Sequence, residues 1–237
     1  MPTFTNKLAG KKVVLIGGSS GFTPYYSVNN SSRIGFGVAE ALVSLEAHVI
    51  IISSSKDKVD NALDRLRKSA PANSPIEGIA QSAAESSSIV QILKDLGPFD
   101  HLVYTATQFS SLKSGDIDSL KEAFDVKFWT AAFAPKRNFS IRGALNGAVI
   151  SLTKGLAVDL AENGIRVNTV IPGPVETELW DSAGTSKELL LEGRKRLLVP
   201  FVGQPSDVAE SYIYFPRADY STGVTVVIDG GELLVRK

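Results

Sequence analysis

Lys12-Val-Val-Leu-Ile-Gly-Gly-Ser-Ser-Gly21, broken off and resumed at Ile34-Gly-Phe-Gly37, decides the fold. The apolar run 13–16 reads as a buried strand, and the glycines after it read as a tight turn. A helix then spans 35–45, with Val38, Ala41, Leu42 and Leu45 repeating on one face. His48-Val-Ile-Ile-Ile52 is a second, nearly all β-branched strand of the kind that parallel sheets bury on both faces. With 22–33 set aside, the order is strand, glycine turn, helix, strand: a βαβ unit able to seat a dinucleotide.

The glycines divide the work. Gly17 lets the chain leave the strand sharply, and Gly21 lets backbone N–H groups approach a pyrophosphate. Gly35 lets the helix pack close to the sheet, and the helix N-terminus favours the phosphate's charge. Phe22-Thr-Pro-Tyr-Tyr-Ser-Val-Asn-Asn-Ser-Ser-Arg33 falls inside this turn, where room is least. Its Pro24, paired Asn and serines read as loop. It folds outward as a flap, or it does not belong in the mature chain.

The 237 residues suit one α/β domain, 1–237, long enough for a substantial core. Balanced charge, 25 basic against 25 acidic residues, argues against a nucleic-acid or acidic-membrane partner. Without cysteine there is neither a thiolate nucleophile nor a sulfur-ligated metal. The two histidines, His48 and His101, lie beside expected strands and read as packing or surface residues, so no metal site is expected. The N-terminal stretch has no secretory apolar region and no run approaches ~18 apolar residues, so a cytoplasmic setting is expected.

Strand 2 runs into Ser53-Ser54-Ser55-Lys56. A carboxylate here would hold the ribose 2′-hydroxyl of NAD. Hydroxyls and an ammonium suit a 2′-phosphate instead, which favours NADP. An ordinary serine-rich cap is the rival reading, with Asp57 capping the next helix. That helix spans 58–68, a weak third strand 76–80, a helix 85–96 and a fourth strand 100–105. Helices at 120–133 and 143–161 then follow each other directly. A doubly wound sheet needs a strand between them. A strand at 166–171, helices at 187–198 and 205–214, and a last strand at 224–228 complete the chain.

With these motifs placed, the chain resembles the short-chain dehydrogenase/reductase family, particularly its fungal secondary-metabolism members. The resemblance rests on Ile16-Gly-Gly-Ser-Ser-Gly21 resuming at Ile34-Gly35, Leu156-Ala-Val-Asp-Leu160, Arg166-Val-Asn168, Pro172-Gly-Pro-Val-Glu-Thr177, Pro205-Ser-Asp-Val-Ala209 and Gly223 through Asp229-Gly-Gly231. It implies a single Rossmann-type doubly wound parallel sheet and hydride transfer between NADP and a small-molecule carbonyl, alcohol or imine. By carry-over, Gly17, Ser19, Ser20, Gly21, Ile34 and Gly35 would surround the pyrophosphate and nearby ribose. Ser53, Ser54, Ser55 and Lys56 would meet the adenosine phosphate. Pro172, Gly173, Val175 and Thr177 would border the nicotinamide. Family members often pair through their two longest helices, so a homo-dimer or tetramer is implied.

The departures from the family are specific. Its Asn-Ala-Gly after strand 4 is Thr105-Ala106-Thr107 here, and the asparagine of the following helix corresponds to Asp125. Its catalytic serine falls on a central strand that is missing between Ala134 and Arg142. Its Tyr-x-x-x-Lys falls at Arg142 and Asn146. Either Phe139 to Ile141 stands in for the strand, or strand 4 keeps an open edge. Loss of a general acid costs about 10²–10⁴ in rate, and a guanidinium, with its pKa above ~12, does not replace it. Replacement candidates are Lys127, on the nicotinamide side, and Asp125 paired with Arg142; the bland alternative is solvated surface charge. An impaired NADP-dependent oxidoreductase is therefore the leading expectation. A catalytically dead nucleotide binder and a derived cyclase or isomerase are its rivals. The extra loop and the missing strand together are also what a mis-joined coding sequence would leave.

Overall fold

The computed structural model describes residues 6–17, 34–71, 74–83, 86–106, 139–177, 194–195 and 197–235. Four parallel strands form the larger sheet: β1 (Lys12–Ile16), β2 (His48–Ser53), β3 (Ile76–Ala80) and β4 (His101–Tyr104), in the order β3-β2-β1-β4. Helices α1 (Ile34–Ser44), α2 (Lys56–Ser69) and α3 (Ser86–Asp95) make the crossovers. Beyond β4 come α4 (Phe139–Asp159), β5 (Thr169–Pro172), α5 (Pro205–Arg217) and β6 (Thr225–Ile228). β5 and β6 pair in parallel as a separate two-stranded sheet.

Alternate strand residues face opposite layers. Val13, Leu15, Val49, Ile51 and Val103 pack under α1, α2 and α5. Val14, Ile16 and Ile52 pack with Ile89 of α3 on the other face. Each such aliphatic, fully buried, contributes about 1.5–3 kcal/mol. Both faces of the sheet are therefore covered, which is why its strands read as unbroken apolar runs rather than alternating ones. Arg65 lies over the ring of Phe36, 3.8 Å from its centroid, closing the α1–α2 seam.

Several expectations are corrected. Phe139 to Ile141 is helical, the first turn of α4, and forms no strand. The nearest proline, Pro135, lies upstream, so nothing in Phe139-Ser-Ile-Arg142 resists the helix, which starts four residues before the expected 143. Among the described residues β4 pairs only with β1, and β5 only with β6. Asp57 does not cap α2: Ser55 occupies the N-cap position, and Asp57 sits within the first turn, where its charge still complements the helix dipole. β5 begins at Thr169 rather than 166, because Arg166 and Asn168 are engaged with the loop before β6. α5 runs on to Arg217, carrying Pro216 in its last turn. The expected helices at 120–133 and most of 187–198 lie outside the described residues.

Candidate functional site

At the carboxyl end of β1 the chain turns at Gly17 with φ +94°, a conformation that side-chain-bearing residues rarely adopt. A Cβ there would stand 2.5 Å from the backbone nitrogen of Ala106. A Cβ at Gly35 would stand 2.5 Å from Thr105 Oγ1 and 2.6 Å from the Gly17 carbonyl oxygen. Thr105 is fastened in turn: its backbone N–H donates to the Ile16 carbonyl at 2.9 Å, and its hydroxyl donates to the same oxygen at 3.3 Å. The Thr105-Ala106 corner thus wedges between the two glycines and presses the start of α1 against the exits of β1 and β4. The first turn of α1 carries no acidic side chain, so its positive end faces that corner without a competing carboxylate. Sequence reasoning saw Thr105 and Ala106 only as departures from a motif. Their partners are remote in the chain, and the paired glycines were the signal that something had to fit between them.

The segment after β5 is fixed as firmly. Gly173 donates its N–H to the Ile228 carbonyl at 2.8 Å, and a Cβ on it would stand 2.5 Å from the Asp229 Cα. Val175 is buried and forms a parallel bridge with Gly203. Glu176 takes the side-chain N–H of Gln204 at 2.7 Å. Gln204 itself caps α5 in a reciprocal box with Asp207, whose carboxylate accepts the Gln204 N–H at 2.7 Å. The next residue, Pro205, lies against α1, where a Cβ on Gly37 would be 3.2 Å from it. Contact thus runs without a break from Gly17 through Gly35, Gly37, Pro205 and Gln204 to Glu176. The glycine turn and the Pro172–Thr177 stretch come to the same end of the molecule, with Thr177 half-buried there.

At the end of β2 the serines differ. Ser53 is buried, and its carbonyl accepts from Gln81 N–H at 2.6 Å. Ser54 is exposed and accepts from Lys58 Nζ at 3.2 Å. Ser55 makes no side-chain cap bond. Lys56 reaches Asp60 one turn on, and that carboxylate holds its ammonium above the usual range. Lys58 was missed in sequence reasoning. Its signal was its place in the first turn of α2, near enough in sequence for its long side chain to reach back to Ser54.

A family model described as an SDR-like Rossmann domain matches residues 4–142, and one described as enoyl-(acyl carrier protein) reductase matches 129–232. The chain belongs to the short-chain dehydrogenase/reductase family. It is 28% identical to the short-chain dehydrogenase/reductase fsr5 of Gibberella fujikuroi, over 98% of this chain and 97% of that one. It is 30% identical to ATR9 of Stachybotrys chlorohalonatus, over 99% and 100%. The solved MalC reductase/Diels-Alderase of Malbranchea aurantiaca superposes with a TM-score of 0.81 at 26% identity, covering 97% of this chain and 99% of that one. An SDR Rossmann domain implies a nicotinamide nucleotide.

Within this SDR chain, three motif residues prove architectural. Arg166 donates to the carbonyls of Phe215 (2.9 Å), Ala218 (3.0 Å) and Ser221 (2.7 Å), the C-terminal end of α5 and the loop beyond it. Asn168 donates to Ser221 O at 3.0 Å and accepts from Val224 N–H at 3.2 Å. Asp229 accepts the N–H groups of Gly231 and Leu233 at 2.8 and 3.0 Å. Arg142 falls in the opening part of α4, and Asn146, one turn on, is exposed. Ser19, Ser20, Gly21, the 22–33 loop, Asp125 and Lys127 lie outside the described residues. His48 Nε2 meets Glu77 Oε1 at 2.7 Å, at the far end of the strands. His101 is half-buried, and burial, with Arg166 and Lys11 adding to it, lowers its pKa against the pull of Asp100. Among the described residues no group of His, Asp and Glu converges as a metal site would.

Proposed function

We propose that this chain is an NADP-dependent oxidoreductase of small-molecule biosynthesis, acting on a carbonyl, alcohol or imine in the cytoplasm as a homo-dimer or tetramer. The observation that carries the reading is the contact path from Gly17 to Glu176, which gathers the glycine turn, the acid-free start of α1 and the Pro172–Thr177 stretch at one end. Gly17, Ile34 and Gly35, together with Ser19, Ser20 and Gly21, would hold the pyrophosphate. Pro172, Gly173, Val175 and Thr177 would line the nicotinamide. NADP is preferred over NAD because no carboxylate closes β2. Instead Ser54, Ser55, Lys56 and Lys58 offer hydroxyls and two ammonium groups to a 2′-phosphate. When bound, the dinucleotide supplies or accepts the hydride. The protein's part is to hold it and to exclude water.

Fluorescence titration with NADPH and NADH tests this. Saturable binding with NADPH at least tenfold tighter is expected; absence of quenching at millimolar NADPH overturns the reading. A second reading, cofactor-scaffolded cyclisation, is favoured by Arg142 and Asn146 standing where the family has Tyr and Lys, and by likeness to a protein described as reductase/Diels-Alderase. NADPH consumption over a panel of ketones and imines separates the two.

A further inference from the structure

α5 turns Val208, Ala209, Ile213 and Phe215 inward, and its other side is exposed. After Ser206 the exposed residues are Asp207, Glu210, Tyr214 and Arg217. Steps of three, four and three residues set them in one stripe along the helix. Those steps read the same from either end. The charge does not: two carboxylates stand toward the amino end, then a phenol, then a guanidinium at the carboxyl end. Asp207 is engaged with the Gln204 N–H. Neither Glu210 nor Arg217 forms an ion pair among the described residues.

The stripe ends in a firmly held corner. Arg166 bonds the carbonyls of Phe215, Ala218 and Ser221. Lys7 reaches the Arg217 carbonyl at 3.1 Å and the Asp219 carboxylate. Tyr214 Oη meets Ser221 Oγ at 3.2 Å. From this corner Tyr220 projects with its surface fully exposed. Exposed tyrosine and arginine on a fixed backbone lose little freedom on association, and these residue types carry much of the energy at protein interfaces.

We propose that the exposed stripe of α5 is a self-association surface, occupied by α5 of a second copy of this chain packed antiparallel about a two-fold axis. This rests on the homo-oligomer reading and assigns a face separate from the two long helices that the family resemblance names. An isologous contact lays one patch on itself. The stripe meets that demand: Arg217 of each copy lies over Glu210 of the other, so the ion pair is made twice, and Tyr214 falls beside the axis. The antiparallel helix dipoles add to the match. A nucleic acid or an acidic membrane would meet the two carboxylates, and a basic surface would meet Arg217. A second copy complements both signs at once.

Sedimentation velocity on the full chain tests this. Arg217→Glu and Glu210→Arg each set like charges opposite one another and should weaken association at least about tenfold, so that a dimer falls to monomer or a tetramer to dimer. The double variant Glu210→Arg/Arg217→Glu restores the pairing in reverse and should return to within about threefold of wild type. Far-UV circular dichroism matching the wild type shows that the variants are folded. Reversals that leave association unchanged overturn the proposal. So does a double variant as weak as the singles, because the two charges then do not face each other. Where a reversal fails to fold, Tyr220→Ala decides: about tenfold weakening supports the surface, and none overturns it. A wild type that stays monomeric up to about 100 μM is a different result and overturns the homo-oligomer reading itself, and this surface with it.

Discussion

Gly35 faces two atoms at once, Thr105 Oγ1 and the Gly17 carbonyl, each closer than any real Cβ tolerates. Backbone oxygen does not swing aside, so Gly35→Ala should displace the start of α1 and cost about 1–3 kcal/mol, read as a lowered urea midpoint and weaker NADPH binding together. Arg166 makes three charged hydrogen bonds to carbonyls. Arg166→Ala should destabilise by about 3 kcal/mol, and Arg166→Lys should recover only part, because a point ammonium cannot span the same acceptors. His101 gives a pH effect of determined sign. Its folded pKa lies below the ordinary 6.5 of the unfolded chain. Between those values the unfolded state binds more protons, so stability is complete above about pH 6.5 and falls as pH drops through that window. Urea midpoints at pH 7 and 5.5 should differ in the wild type and converge in His101→Gln.

Elements were legible wherever periodicity alone specifies them. The runs 13–16 and 48–52 have no reading but buried strand, and both appear. The start of α4 was not legible, because the demand of a complete sheet for a strand near Phe139 competed with a local sequence that tolerates helix, and local preference won. Arg166 and Asn168 carried a family motif whose purpose lay in the loop before β6, a partner that no spacing rule reveals. At the candidate site the glycines were legible from their turn chemistry, whereas Thr105 and Lys58 depend on three-dimensional neighbours. α2 also carries a test of cofactor preference. Lys58 reaches back to the exposed Ser54 and Lys56 opens the same helix, so replacing both with glutamate should weaken NADPH binding at least tenfold while leaving NADH within about threefold, by parallel fluorescence titrations.

On the scale of the whole molecule, the four-stranded and two-stranded sheets meet through α1 and α5, where Gly37 lets Pro205 come close. A Gly37→Val side chain fills that space and should split one cooperative thermal transition into two, visible by calorimetry, without disturbing the strand register of either sheet. This seam also has a consequence for ligand binding. The glycine turn belongs to one sheet and the Pro172–Thr177 stretch to the other, so a dinucleotide touching both would act as a rivet across the joint. Its affinity would then report the stiffness of the α1–α5 junction, and loosening that junction would be felt as poorer cofactor retention far from any atom the cofactor touches.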